Sequence, residues 1–176
     1  MKGTIRIKTE RFILREHKIE DAEHLYNHLG TDERMIEFSG WNPYATPESA
    51  RETVQDFIDR GDDENFYGWA VEHNSEIIGT VGAYDYDPEE SSAEVGISIF
   101  RTHWGKGCAS EVLRTVLRYL TEQRNVKIVR AWCAKDNIGS RKAMEKCRMK
   151  LVSIEKDALS INGHIFDRLN YEYRGI

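Results

Sequence analysis

Two glycines one residue apart, Gly105-Lys106-Gly107, stand between a β-branched run and a long amphipathic stretch. Where a strand turns into a helix, the first N–H groups have no intrahelical acceptor and point outward along the axis. Together with the helix dipole they favour an anion, typically a phosphate. Glycine also lets a bulky anion come close to the backbone. Two familiar phosphate frames are missing. A nucleoside-triphosphate loop needs Gly-x-x-x-x-Gly-Lys followed by Ser or Thr, which these residues do not supply. A dinucleotide fingerprint needs a third glycine where Ser110 stands. On the turn alone, an ordinary ligand-free connection stays open. Cys108 beside it reads two ways: a thiol activated by a helix N-terminus, or a small apolar side chain packed under the turn.

The elements that must hold this turn are legible from periodicity. Ala109, Val112, Leu113, Val116, Leu117 and Leu120 recur at i, i+3, i+4, i+7, i+8 and i+11, one apolar stripe of a helix. Glu94 to Phe100 reads as the strand feeding the turn, and 126–134 as the strand after the helix. The crossover rule makes that second strand parallel to the first. Upstream, Arg11 to Glu16 is a short strand, and Ile19 to Leu29 a helix closed by Gly30. Residues 31–45, with Met35, Phe38, Gly40, Trp41 and Tyr44, read as a loop that either lines a site or plugs the edge of the core. Thr46-Pro47 opens a helix with Thr46 as N-cap, Ser49 leaving the capping box incomplete, and Val54, Phe57 and Ile58 as its buried face. Phe66 to His73 and Ile77 to Tyr86 form a hairpin around Asn74-Ser75-Glu76. A helix begins at Asn137 and runs to Met144. Strands at Leu151–Glu155 and Ile165–Tyr173, joined by an Asn162-Gly163 turn, close the chain. The expectation is one α/β (α+β) domain over residues 1–176, with a mixed, mostly antiparallel sheet flanked by helices.

Composition narrows the function. The 176 residues are 40% hydrophobic and 31% charged, enough for a core of ordinary size. A net charge of −5 argues against a nucleic-acid partner, which wants a basic face. Three cysteines, Cys108, Cys133 and Cys147, without paired spacing argue against a disulfide framework or zinc cage and suit a reducing cytosol. Met1 to Glu10 lacks the apolar core of a signal peptide, and no stretch reaches the roughly 20 apolar residues of a membrane span.

Trp104-Gly105-Lys106-Gly107-Cys108-Ala109 resembles the pyrophosphate-binding turn of the GNAT N-acetyltransferases, usually Gln or Arg followed by Gly-x-Gly-x-Gly or Ala. Trp104 departs from Gln or Arg. The RimJ/RimL-like branch commonly carries an aromatic there, and continues much as Ala109-Ser110-Glu111-Val112 does here. About 30 residues on, Asn137 to Met149 resembles the family's Asn-x-x-Ser/Ala segment and the helix it leads into. Arg148 and Met149 replace its usual Gly-Phe, and Met144 stands where many members carry a tyrosine acid. The opening Thr9 to Arg15 and the closing Asp167-Arg168-Leu169-Asn170-Tyr171 fit the same branch. Two motifs in the right order around a strand are far more specific than either alone.

The resemblance implies acetyl transfer from acetyl-CoA to a primary amine, either a small molecule or a protein N terminus such as that of a ribosomal protein. Transfer would be direct, in a ternary complex. The cofactor would lie on Trp104 to Ala109. The resemblance implies that the parallel pair 94–100 and 127–134 is splayed, so that the backbone of Ile97 and Ile99 and the side chain of Asn137 would meet the amides of the pantetheine arm. Glu94 is the candidate base, through water, and Ser140 the candidate acid for the departing sulfur. Each has a plainer reading: Asn137 a helix N-cap, Glu94 an exposed carboxylate or partner of an arginine, Ser140 a first-turn serine bonded to backbone. His73 and His103 are further possible proton carriers. A different function class, a coenzyme-A-binding sensor without turnover, fits the same residues.

Overall fold

The computed structural model describes residues 3–39 and 41–175. Among them, eight strands form one sheet in the order β1-β2-β3-β4-β5-β6-β8-β7. The strands are β1 (Ile7–Lys8), β2 (Ile13–Glu16), β3 (Tyr67–His73), β4 (Glu76–Asp87), β5 (Ser92–Ile99), β6 (Ile128–Ala134), β7 (Lys150–Ile161) and β8 (His164–Arg174). Every pairing is antiparallel except β5 with β6, which is parallel, as a crossover through a helix requires. The helices are α1 (Asp21–Leu25), α2 (Glu33–Ile36), α3 (Pro47–Asp59), α4 (Cys108–Arg118) and α5 (Ile138–Lys146). Both α1 and α4 end in wider π turns, Tyr26–Gly30 and Tyr119–Gln123.

The helices cover the sheet in two groups. The α4 stripe is fully used: Val112, Leu113, Val116, Leu117 and Leu120 are buried with Val81, Ala83, Ala93 and Val95 of β4 and β5. Burying each such side chain contributes about 1.5–3 kcal/mol, so this stripe anchors the turn that precedes it. A second cluster joins Ala22, Leu25 and Leu29 to Ala50 and Val54 of α3, and to Ala70 and Phe100.

Several sequence expectations change in detail. The Thr46 capping box is complete: Ser49 N–H donates to Thr46 Oγ1 at 3.0 Å and Thr46 N–H to Ser49 Oγ at 3.0 Å. A serine hydroxyl does the work expected of a longer Glu or Gln. Ala50 rather than Ile58 completes the buried face of α3; Ile58 is exposed. The first helix starts at Asp21, not Ile19, because the Asp21 carboxylate accepts the Lys18 N–H at 2.8 Å. Residues 31–45 are not all loop. Asp32 caps the short α2 by accepting from Arg34 N–H at 3.1 Å, and Tyr44 is buried in the second cluster; Gly40 lies outside the described residues. Of the closing strands, β7 is much longer than its apolar core suggested, while β8 runs one residue past each expected end. Nearly all of β7 is exposed, so it carries no alternating pattern to read, and a bulge at Asp157 (φ 51°) carries the ladder past the expected end. The Asn162-Gly163 turn is as expected, with both residues at positive φ.

The feature that positions the site is where β5 and β6 part. They pair only at Ser92/Ile128, Ala93/Val129 and Glu94/Arg130, although β5 continues to Ile99 and β6 to Ala134. A wedge opens between them beyond Glu94.

Candidate active site

The turn at the end of β5 is built for main-chain donors. Gly105 and Gly107 have φ of 72° and 73°, and Gly107 is the N-cap of α4 with no side-chain cap. From Gly105 to Ser110 no N–H finds an acceptor among the described residues; the first helical bond is Glu111 N–H to Gly107 C=O. Space around the glycines is open. A Cβ on Gly105 would meet nothing within 4 Å, and one on Gly107 only Arg11 Nη2 at 3.7 Å. The turn is braced from behind by the N-terminal segment. Arg11 donates through Nη1 to Lys106 C=O (3.0 Å) and through Nε to Glu111 (2.7 Å), while Thr9 Oγ1 donates to the same carboxylate (2.6 Å). Burial pushes the Glu111 carboxyl up, but Thr9 and Arg11 outweigh it and hold the group below its usual range, ionised. Cys108 is buried beneath the turn, which is the packed and not the nucleophilic arrangement.

The wedge presents main-chain groups from both sides. Phe100 N–H donates to Ile78 C=O, which makes that cross-strand pair a hydrogen-bonded one. Antiparallel pairs alternate, so Val95, Ile97 and Ile99 turn their N–H and C=O groups away from β4, toward the wedge. On β6, Lys135 N–H donates to Asp167 C=O, so by the same alternation Trp132 and Ala134 face the wedge from the other side. Two of these groups are taken: Trp104 Nε1 donates to Ile99 C=O at 2.8 Å, and Asn137 N–H to Ala134 C=O at 3.0 Å. The Ile99 N–H is thus the group of that residue left without a partner among the described residues.

Glu94 lies at the closed end of the wedge. Ala93 and Val95 pack in the cluster with α4, so Glu94 between them points to the opposite face. There it lines a cleft of about 220 Å³ with Arg130, Trp132, Ser153, Arg168 and Asn170. Glu94 Oε1 accepts from Trp132 Nε1 at 2.9 Å. Burial raises its pKa above the ordinary carboxylate value, and the Trp132 hydrogen bond and the Arg168 charge only partly offset that. It forms no ion pair within 4 Å among the described residues; Arg168 acts on it through charge without direct contact. Tyr84, its cross-strand neighbour, lays its hydroxyl against Gly96; burial, then the Glu94 charge, pushes that phenol up to about 12.

Asn137 caps α5 by accepting from Ser140 N–H at 3.1 Å, and its Nδ2 makes no bond among the described residues. Both readings of this residue are compatible, since oxygen and nitrogen can serve different partners. The Ser140 hydroxyl likewise makes none. His73 meets Arg11 C=O and His103 meets Thr102, and neither lines the Glu94 cleft. The fold thus puts the turn and Glu94 toward opposite ends of β5; at ~3.3 Å per strand residue, Glu94 lies about 17 Å from Ile99, where the strand ends before the turn. Asn137 and Ser140 lie just past the end of β6. Sequence reasoning missed Thr9, Arg11 and Glu111 as braces, and Tyr84, Trp132 and Arg168 as the surroundings of Glu94. The first three, and Arg168, stood in stretches already singled out; Tyr84, Trp132 and Arg168 lie on three different strands and carry no shared spacing.

Residues 11–150 match the family model described as the Acetyltransferase (GNAT) domain. The chain is 28% identical over 174 residues to the uncharacterized N-acetyltransferase p20 of Bacillus licheniformis, covering 95% of this chain and 97% of that one. Among solved structures it is similar to RimL, a ribosomal L7/L12 alpha-N-protein acetyltransferase in complex with coenzyme A, at a TM-score of 0.88 and 18% identity over 97% of this chain and 98% of that one. It is also similar to the microcin C7 self immunity acetyltransferase MccE in complex with acetyl-CoA and AMP, at a TM-score of 0.84 and 18% identity over 94% and 93%. At such identities the two structures establish the shared fold.

Proposed function

This chain belongs to the GNAT acetyltransferase family, and from that premise we propose that residues 1–176 form a single domain that moves an acetyl group from acetyl-CoA to a primary amine by direct attack in a ternary complex. The observation that carries this reading is the wedge. Two strands part beyond one short parallel pairing, a row of main-chain amides faces the gap, an uncapped glycine turn stands at the open end, and a carboxylate of raised pKa stands at the closed end. The N–H groups from Gly105 to Ala109, with Trp104 and Lys106 beside them, receive the diphosphate. Main-chain groups of Ile97, the Ile99 N–H and Asn137 Nδ2 pair with the amides of the arm.

An ammonium must lose a proton before it attacks a thioester carbonyl. Glu94 takes that proton, through water, and its raised pKa suits the task. A wedge-facing N–H of β5 receives the developing oxyanion. The Ser140 hydroxyl, free of protein partners among the described residues, gives a proton to the leaving thiolate, and the proton that the attacking nitrogen sheds as the amide forms restores the hydroxyl. The acceptor is a small amine or a protein N terminus; the structurally similar RimL is a ribosomal L7/L12 alpha-N-protein acetyltransferase. Its setting is cytoplasmic, consistent with three buried, unpaired cysteines.

Thiol release from acetyl-CoA across a panel of small amines and peptide N termini tests this. Release that depends on the amine is expected. Coenzyme A binding by calorimetry with no release for any amine would make the protein a sensor instead.

A further inference from the structure

The charges in the Glu94 cleft are not balanced in the ordinary way. Arg130 is spent: its guanidinium reaches Glu90 at 2.6 Å, Ser92 at 3.0 Å and Glu172 at 3.4 Å. Arg168 is not. Its Nε donates to Asn170 Oδ1 at 3.0 Å, and its two terminal nitrogens have no hydrogen bond and no carboxylate within 4 Å among the described residues. Its cross-strand neighbour Glu155 is drawn off, accepting from Asn170 Nδ2 at 2.6 Å. The Arg168 guanidinium instead lies over the Trp132 ring, 4.6 Å from its centroid, and the indole N–H of that same ring holds Glu94. One indole thus separates a carboxylate and a guanidinium that share a cleft and do not pair.

An unpaired charge in a half-buried place is costly unless a ligand meets it. The planar fork of a guanidinium matches a carboxylate in a two-point contact. We propose that the amine acetylated here also carries a carboxylate, as a free amino acid does: the amine faces Glu94 and the carboxylate is received by the open fork of Arg168, with Trp132 fixing the spacing. This rests on reading the Glu94 cleft as the acceptor site. Arg168 is then the residue that selects the substrate, while Glu94 acts on it.

The test compares L-leucine, L-phenylalanine and L-glutamate with their α-amides and with the decarboxylated amines, measuring kcat and KM from thiol release. The acids are expected to exceed their amides at least tenfold in kcat/KM, chiefly through KM. Arg168→Gln is expected to bring that ratio near one, and Arg168→Lys to restore part of it; melting curves confirm that both variants fold. Amides used as well as acids by the unaltered protein would overturn the proposal while leaving acetyl transfer intact. Should no amine release thiol, calorimetry of L-leucine and L-leucinamide on the coenzyme-A-saturated protein decides the matter separately. Binding of the acid alone, lost in Arg168→Gln, supports the proposal without turnover, and equal or absent binding of both overturns it.

Discussion

At one end of β5, the turn from Trp104 to Ala109 presents main-chain N–H groups fixed by helix geometry. At the other end, Glu94 stands among side chains drawn from β6, β7 and β8. The first region depends on backbone shape and tolerates varied side chains; Trp104 in place of the family's Gln or Arg donates to Ile99 C=O and leaves the turn's own N–H groups free. The second depends on the identity of each side chain, because a charge is met only by the group that reaches it. A common cofactor site can therefore accompany a private acceptor site in one fold.

The largest effect that sharpens this contrast is expected at Glu94. Glu94→Gln removes the proposed base but not the wedge, so kcat should fall by about 10²–10⁴ while coenzyme A affinity by calorimetry is retained. With Glu94 as the proposed base, the active form of the unaltered enzyme is its carboxylate. Because burial raises its pKa, the rate should decline as pH falls through a value above the ordinary carboxylate range. An acid limb that persists in Glu94→Gln would remove the assignment.

A smaller effect is expected at Gly107. Its φ of 73° costs a residue with a Cβ about 1 kcal/mol. Little packs against it, so the turn should relieve the strain by moving. Gly107→Ala is expected to weaken coenzyme A binding roughly fivefold, the factor that corresponds to about 1 kcal/mol, with little change in melting temperature. Unaltered affinity would mean that the turn's N–H groups are not used.

The smallest effect lies at the end of α5, where Arg148 occupies a left-handed position at φ 64° that the family fills with glycine. Arg148→Gly should stabilise the fold by about 1 kcal/mol, raising the melting temperature by roughly 2–4 °C, with kcat unchanged. The pair is instructive: if an arginine is tolerated at positive φ there, positive φ alone does not explain two glycines in the turn, and room for a ligand does.

Much of the frame was legible because it repeats. The α4 stripe, the paired strands around Asn74 and Asn162, and the parallel crossover each follow a local period or a handedness rule. A boundary failed where no period exists, as on exposed β7; the start of α3 was right, and only its capping box was misjudged, because Ser49 stood where a longer side chain is usual. The bracing of the turn by Thr9, Arg11 and Glu111 joins residues about 100 positions apart, which no local pattern encodes.

By itself, the order of residues determined which segments bury an apolar face, where the chain must turn, and where a helix would begin with unsatisfied N–H groups, because each of these is set by neighbours a few positions away. Only the assembled sheet decided that β5 and β6 part after Glu94, and that Trp132 lies between Glu94 and Arg168. Those contacts depend on strand register and on which face each side chain takes, and both are fixed when distant strands pair.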